Sequence, residues 1–303
     1  MLKGTGQELG RLESIFLEIL EDPSKKEVLL YPICYCQLVR KESDFEVNLS
    51  RLISCASKTF HTMRGKWQDI FLELDIFQVI SQRGDVLYGK DILRLGSPEG
   101  MKVSFLPEYR EIFYEVYARF LKYWTVLSKV SSYSRRNSAA EITYLSALIF
   151  NEELYGELVY YAGLQAERFP EDSCLLDALK YVSKFYIKVS EKKEPDTSLL
   201  KKALLKISNL GSPYYGINVR KFRKDLELLI RDVEKSGRYF VLKVSFTAIS
   251  NRKKSIFRRV ISEIVNKIRR LGGRRWTLIS SEAVLSSFTE TSWRGQSEQR
   301  ILA

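Results

Sequence analysis

Apolar residues recur at helical spacing through most of the first 130 positions. In Gln7–Glu21, residues Leu9, Leu12, Ile15, Phe16, Ile19 and Leu20 share one face, and Asp22-Pro23 ends the run. Val28–Val39 is apolar nearly throughout, so its pattern fits a buried strand or a buried helix equally. Val47–Met63 and Trp67–Ile80 both carry helical stripes. The texture then changes. Val86–Leu95 and Met101–Leu106 flank a turn-rich Gly-Ser-Pro-Glu-Gly connection and predict a hairpin over 86–106. Helices followed by a hairpin are the outline of a winged-helix module. Pro107–Lys129 returns to helical period, with Tyr109, Phe113, Tyr117, Phe120 and Trp124 on its stripe.

Tyr133–Ser138 is polar and serine-rich, with Arg135 and Arg136 adjacent, and marks a boundary. Beyond it Ala139–Phe169, Cys174–Ser190, Leu199–Leu210 and Val219–Lys235 read as helices. Pro170-Glu-Asp, Lys192–Asp196 and Gly211-Ser-Pro separate them, which predicts an array of helical hairpins. The period switches to two in Tyr239–Ile249, a strand with one apolar face. Lys253–Leu271 then reads as a helix ended by Gly272-Gly273, and Trp276–Ser280 as a second strand, together a βαβ unit. The fold expected is mainly α, in three parts. Residues 1–135 form a mostly helical domain with the hairpin, residues 136–237 a helical array, and residues 238–303 a small basic α/β module with a polar tail.

Composition narrows this outline only slightly. A hydrophobic share of 45% and a charged share of 28% are globular values, so a folded chain is expected. The longest apolar runs are too short to cross a membrane. The first residues lack a secretory core, and four cysteines in 303 residues make no disulfide framework. These features predict a soluble intracellular protein, cytoplasmic or held at the nucleoid or in the nucleus, and not secreted.

Charge alters the picture more. Residues 1–200 carry a net charge of −3, whereas residues 201–303 hold 23 basic and 8 acidic residues, net +15. A chain neutral over two thirds and strongly basic beyond that is suited to meeting a polyanion at one end. Helical phasing of Lys253–Leu271 gathers Ile256, Val260, Ile264 and Ile268 on one side. Arg258, Arg259, Arg269 and Arg270 lie on the other, around Ser262 and Asn266. Arg252, Lys253 and Lys254 stand at its entrance. Arg274 and Arg275 follow its exit, where cations complement the helix dipole. A second cluster, Arg220, Lys221, Arg223 and Lys224, follows the turn Ser212–Gly216. Tyr214 and Tyr215 in that turn either stack on an unpaired base or pack beneath the loop. Guanidinium groups hold two phosphate oxygens at once, and clustered cations release several counterions together.

Candidates for chemistry are sparse. His61, the one histidine, stands three positions before Arg64, a spacing also seen in phosphate-cleaving recombinases, but no upstream arginine box accompanies it. Cys34 and Cys36 are close, yet Cys55 and Cys174 are singletons, so no zinc site is expected. The carboxylates Asp69, Glu73 and Asp75, and Glu152, Glu153 and Glu157, fall on helices and read as solvated faces. No phosphate-binding glycine loop is present, and no cofactor is expected. Around the hairpin, acids balance Arg83, Lys90, Arg94 and Lys102, so a winged helix here suits protein contacts better than DNA. The residues point to non-catalytic binding of nucleic acid, DNA or RNA, by a subunit of a nucleoprotein assembly with other protein subunits. The competing reading is a helical adaptor or scaffold whose basic end meets an acidic protein or a membrane surface.

Overall fold

Helix α1 (Gly6–Glu21) buries Leu12, Ile15, Phe16, Ile19 and Leu20, the face its spacing predicts. The structure, a computed structural model, describes residues 6–59, 66–130 and 138–247. The chain divides between Phe246 and Thr247, and the unit described is the first.

The open choice at Val28–Val39 resolves as helix. A 3₁₀ stretch, Pro23–Leu29, leads into α2 (Leu30–Glu42), which buries residues on all its sides, among them Tyr31, Ile33, Tyr35, Cys36 and Val39. A helix packed all round shows no stripe, which is why periodicity could not separate it from a strand. Val47–Met63 begins as a short strand, β1 (Val47–Asn48), before α3 (Leu49–Thr59). Trp67–Ile80 also splits. Helix α4 (Trp67–Leu74) ends at Asp75 in the left-handed region, and β2 (Phe77–Ile80) follows.

That unexpected strand changes the hairpin. β3 (Val86–Tyr88) is short because Gly89, at φ 55°, turns the chain into a 3₁₀ segment, Gly89–Arg94. β4 (Lys102–Phe105) does not pair with β3, as the sequence suggested; both pair with β2, in the antiparallel order β1-β4-β2-β3. Val79 stands opposite Leu87 on one side and Val103 on the other. One face of the sheet closes on a ring cluster. Tyr35 lies 4.3 Å from Phe105 and Phe71 4.6 Å from Phe77, centroid to centroid.

The remaining helices are α5 (Pro107–Glu111), α6 (Phe113–Val130), α7 (Ala139–Asn151), α8 (Tyr155–Arg168), α9 (Ser173–Ser190), α10 (Thr197–Ile207) and α11 (Val219–Ser236). The continuous helix expected over Ala139–Phe169 is two, because Glu153 adopts a left-handed φ of 60° between α7 and α8. α8 through α11 pack in sequence order, each on the next, and α1 rests on α8.

Tyr239–Ile249 is described as far as Thr247 and differs from expectation. It is extended, but among the described residues it pairs with no neighbouring strand beyond one isolated bridge, Phe246 to Ile217. Side chains supply the missing ladder. The Tyr186 hydroxyl donates to Phe240 O at 2.7 Å and accepts from Leu242 N at 2.9 Å. Asn151 does the same for Val244, accepting from its N–H at 2.7 Å and donating to its carbonyl at 2.9 Å. Leu242 and Val244 are buried, so the period-two face is real although the sheet is not there. The helix and second strand expected over 253–280 lie outside the described residues.

Candidate nucleic-acid interface

The segment between α10 and α11 is a tight turn set by hydrogen bonds. Tyr214 and Ile217 exchange backbone bonds at 3.0 and 2.9 Å around Tyr215 and Gly216, whose φ values are 45° and 79°. Two successive positive φ angles are type I′ geometry, which glycine adopts freely and tyrosine does not. Asp172, just before α9, holds the turn. Its Oδ1 accepts from the Tyr214 and Tyr215 hydroxyls at 3.0 and 2.8 Å. Burial first, then this hydrogen bond, pushes the Tyr214 phenol above its usual range. Both rings are thus tethered, and Tyr215 keeps a 40% exposed edge. Residue 218 ties the turn to the extended segment, since Asn218 N donates to Ser245 O at 2.8 Å.

α11 starts with its amides satisfied. Lys221 N donates to the Asn218 side chain at 3.0 Å, and Arg220 N to the Ser212 hydroxyl at 3.3 Å. Anion binding there would therefore fall to side chains, not to free helix N–H groups. The helix buries Val219, Phe222, Leu226, Leu229, Ile230 and Val233 on one face. Steps of 100° place Arg220, Lys224, Arg231 and Lys235 in an arc of about 60° on the opposite side. All four are exposed, and among the described residues none is ion-paired. The row runs about 22 Å along the axis. Some cations elsewhere are matched, as in Lys25–Glu73, Lys102–Glu46, Lys129–Glu152, Lys206–Asp177 and Lys243–Glu153.

The four cations expected here do not act alike. Arg220, Lys221 and Lys224 are exposed. Arg223 turns back, and its Nη2 donates to Ile207 O at 2.6 Å and Leu210 O at 3.2 Å. It closes the C-terminal end of α10, satisfying carbonyls that helix geometry leaves open. Arg223→Ala is expected to cost about 1.5–3 kcal/mol, the range for hydrogen bonds to a charged group. It should leave the salt dependence of any ligand binding unchanged; urea unfolding beside a salt titration checks both. Arg231 and Lys235 were overlooked in the sequence, although continuing the helical phase from Arg220 would have found them. Arg252, Lys253, Lys254, Arg258, Arg259, Arg269, Arg270, Arg274 and Arg275 lie outside the described residues, as do His61 and Arg64.

The carboxylates read as solvated faces are largely paired one by one, with one correction. Glu73, Glu152 and Glu153 each meet a separate lysine. Glu157 is fully buried. Its Oε1 accepts from Arg119 Nη1 and from the Tyr123 hydroxyl, both at 2.6 Å. Arg119 also reaches Glu115 at 3.5 Å and Glu13 at 3.9 Å, joining α1, α6 and α8. Glu13 lines a groove of about 1010 Å³ between α1 and α8, beside Leu17, Tyr160 and Leu164. Desolvation, and then the Glu157 charge, raise the Glu13 carboxyl above its ordinary 4.5. A raised folded-state pKa means that the proton favours the fold. That contribution is complete below about the ordinary value and is lost as pH climbs through the raised one. Glu13→Gln should therefore melt with the parent at pH 4 and above it at pH 8. Parallel melting temperatures across that range would refute the assignment.

Among the described residues no group of three His, Cys, Asp or Glu side chains converges to hold a metal. Among the described residues Cys34, Cys36, Cys55 and Cys174 form no disulfide; Cys34 and Cys36 are buried, and Cys55 and Cys174 half-buried. Nor is any helix among the described residues long and apolar enough to cross a membrane.

Among the described residues these features define a mainly helical protein with a small antiparallel sheet and a row of cations without ion-pair partners on α11. The chain belongs to the family of an uncharacterized protein of Aquifex aeolicus (strain VF5). The two are 39% identical over 284 residues, covering 94% of this chain and 91% of the relative. No family model matches the chain. No solved structure matches it either.

Proposed function

We propose that the protein binds nucleic acid by its phosphate backbone, without catalysis, as part of a nucleoprotein assembly. The observation that carries this reading is the row Arg220, Lys224, Arg231 and Lys235, exposed and without ion-pair partners among the described residues, within a stretch of net charge +15. Cations carried on a helix need no further ordering of the backbone on binding, and together they release several counterions. Arg252 through Arg275 join the proposal on their sequence pattern alone.

Residues 30–105 fit the same assembly as a winged-helix module. The order α2, β1, α3, α4, β2, β3, β4, with β4 between β1 and β2, supports this reading. Its third helix is acidic, with Asp69 and Glu73, and Arg94 is matched by Asp91 at 3.5 Å. Val86, Tyr88 and Leu93 are exposed at 50%, 63% and 44% around the edge strand. An edge of balanced charge with exposed apolar side chains suits a protein subunit better than a phosphate backbone.

Competition separates nucleic acid from the other polyanions. Full-length protein bound to a labelled oligonucleotide is challenged with polyglutamate and with anionic lipid vesicles. Nucleic acid should displace the probe at far lower phosphate concentration than either competitor displaces it per charge. Equal displacement by polyglutamate would favour the adaptor reading instead.

A further inference from the structure

We infer that the α11 row grips a nucleic-acid duplex, each of its two cation pairs holding a different strand; this rests on the nucleic-acid reading above. The row is not uniform. Arg220 and Lys224 form one pair and Arg231 and Lys235 another, each with partners four residues apart, about 6 Å along the axis. Between the pairs the outward positions are Glu227 and Leu228, both exposed, the latter by 46%. A single strand laid along α11 would press a phosphate against the Glu227 carboxylate and against an apolar side chain, and both contacts are unfavourable. A duplex lying across the helix avoids them, because its groove opens over Glu227 and Leu228 while the two backbones meet the two pairs.

Dimensions agree. The pair centres are eleven residues apart, about 16 Å. A B-form major groove is about 12 Å wide between its walls, so the phosphate rows flanking it stand somewhat further apart. Long lysine and arginine side chains cover the difference. Acids border the row on both sides, Asp225 and Asp232 on one and Glu227 and Glu234 on the other, which keeps the contact narrow. Nor does the row carry a stacking surface. Phe222, the one aromatic residue of α11, is buried. Proteins that hold single strands rely on exposed rings for the unpaired bases.

The test uses the full-length protein, a labelled duplex and each of its separated strands, with anisotropy followed across a salt series. Two variants are compared with the parent, Arg220→Ala with Lys224→Ala, and Arg231→Ala with Lys235→Ala. The duplex should bind at least tenfold tighter than either strand. Each variant should lower the duplex salt slope by about 1.8, or about 0.9 per phosphate released. Neutral methylphosphonate linkages placed one at a time should then show the two variants insensitive to phosphates on opposite strands. Equal binding of single strand and duplex, or loss of both sets of contacts on one strand, would overturn the inference while leaving nucleic-acid binding intact. Binding of neither probe would overturn both readings.

Discussion

Arg119→Ala is expected to destabilise the protein by about 3–5 kcal/mol, the cost of leaving a buried carboxylate without its cation. Glu157 is the carboxylate concerned. It has no exposed surface, and Arg119 and Tyr123 both bond to its Oε1 at 2.6 Å. Its Oε2 has no hydrogen-bond partner among the described residues, so only the Tyr123 hydroxyl is left to offset the charge once the guanidinium is gone. The loss falls where α1, α6 and α8 meet, and Phe16 stacks on Tyr123 there at 4.5 Å. Pairing Arg119→Met with Glu157→Gln should recover much of the stability, since Gln still accepts from Tyr123 and the one fully buried carboxylate is gone. Denaturant unfolding of the three proteins decides the matter. A single variant within about 1 kcal/mol of the parent would show that the pair is no stronger than an exposed one.

The second large effect concerns binding. Replacing Arg220, Lys224, Arg231 and Lys235 together by alanine should weaken nucleic-acid binding about four-thousandfold at 0.1 M salt relative to 1 M, counting about 0.9 in log–log salt slope for each of four phosphates. Folding should be unaffected, because all four side chains are exposed and unpaired among the described residues. Unchanged far-ultraviolet circular dichroism beside collapsed affinity is the expected pair of results. Unchanged affinity would move the interface off α11.

Helices whose buried face is a stripe were legible in the sequence, and those packed all round were not. α11 reads correctly from Val219 because its apolar residues recur on one side. α2 stayed ambiguous because the core surrounds it. Strands of two to four residues, β1, β2 and β3, are too short to establish a period against the helical stripes beside them. The extended segment near Leu242 kept the right alternation, but sequence cannot show that Tyr186 and Asn151 take the place of a neighbouring strand. At the candidate site the charge was plain and its use was not. Arg223 looks like its neighbours in sequence, and only the position of α10 turns it into a cap for Ile207 and Leu210. Glu157 looks like a surface acid until α6 brings Arg119 and Tyr123 to it.

Nucleic-acid binding through the row on α11 is tested most directly by the salt dependence of affinity for a labelled duplex, measured for the parent and the four-alanine variant from 0.05 to 0.3 M. The parent should give a steep straight line of log affinity against log salt, and the variant a line shallower by about 3.6. A parent that fails to bind, or two lines of equal slope, would contradict it.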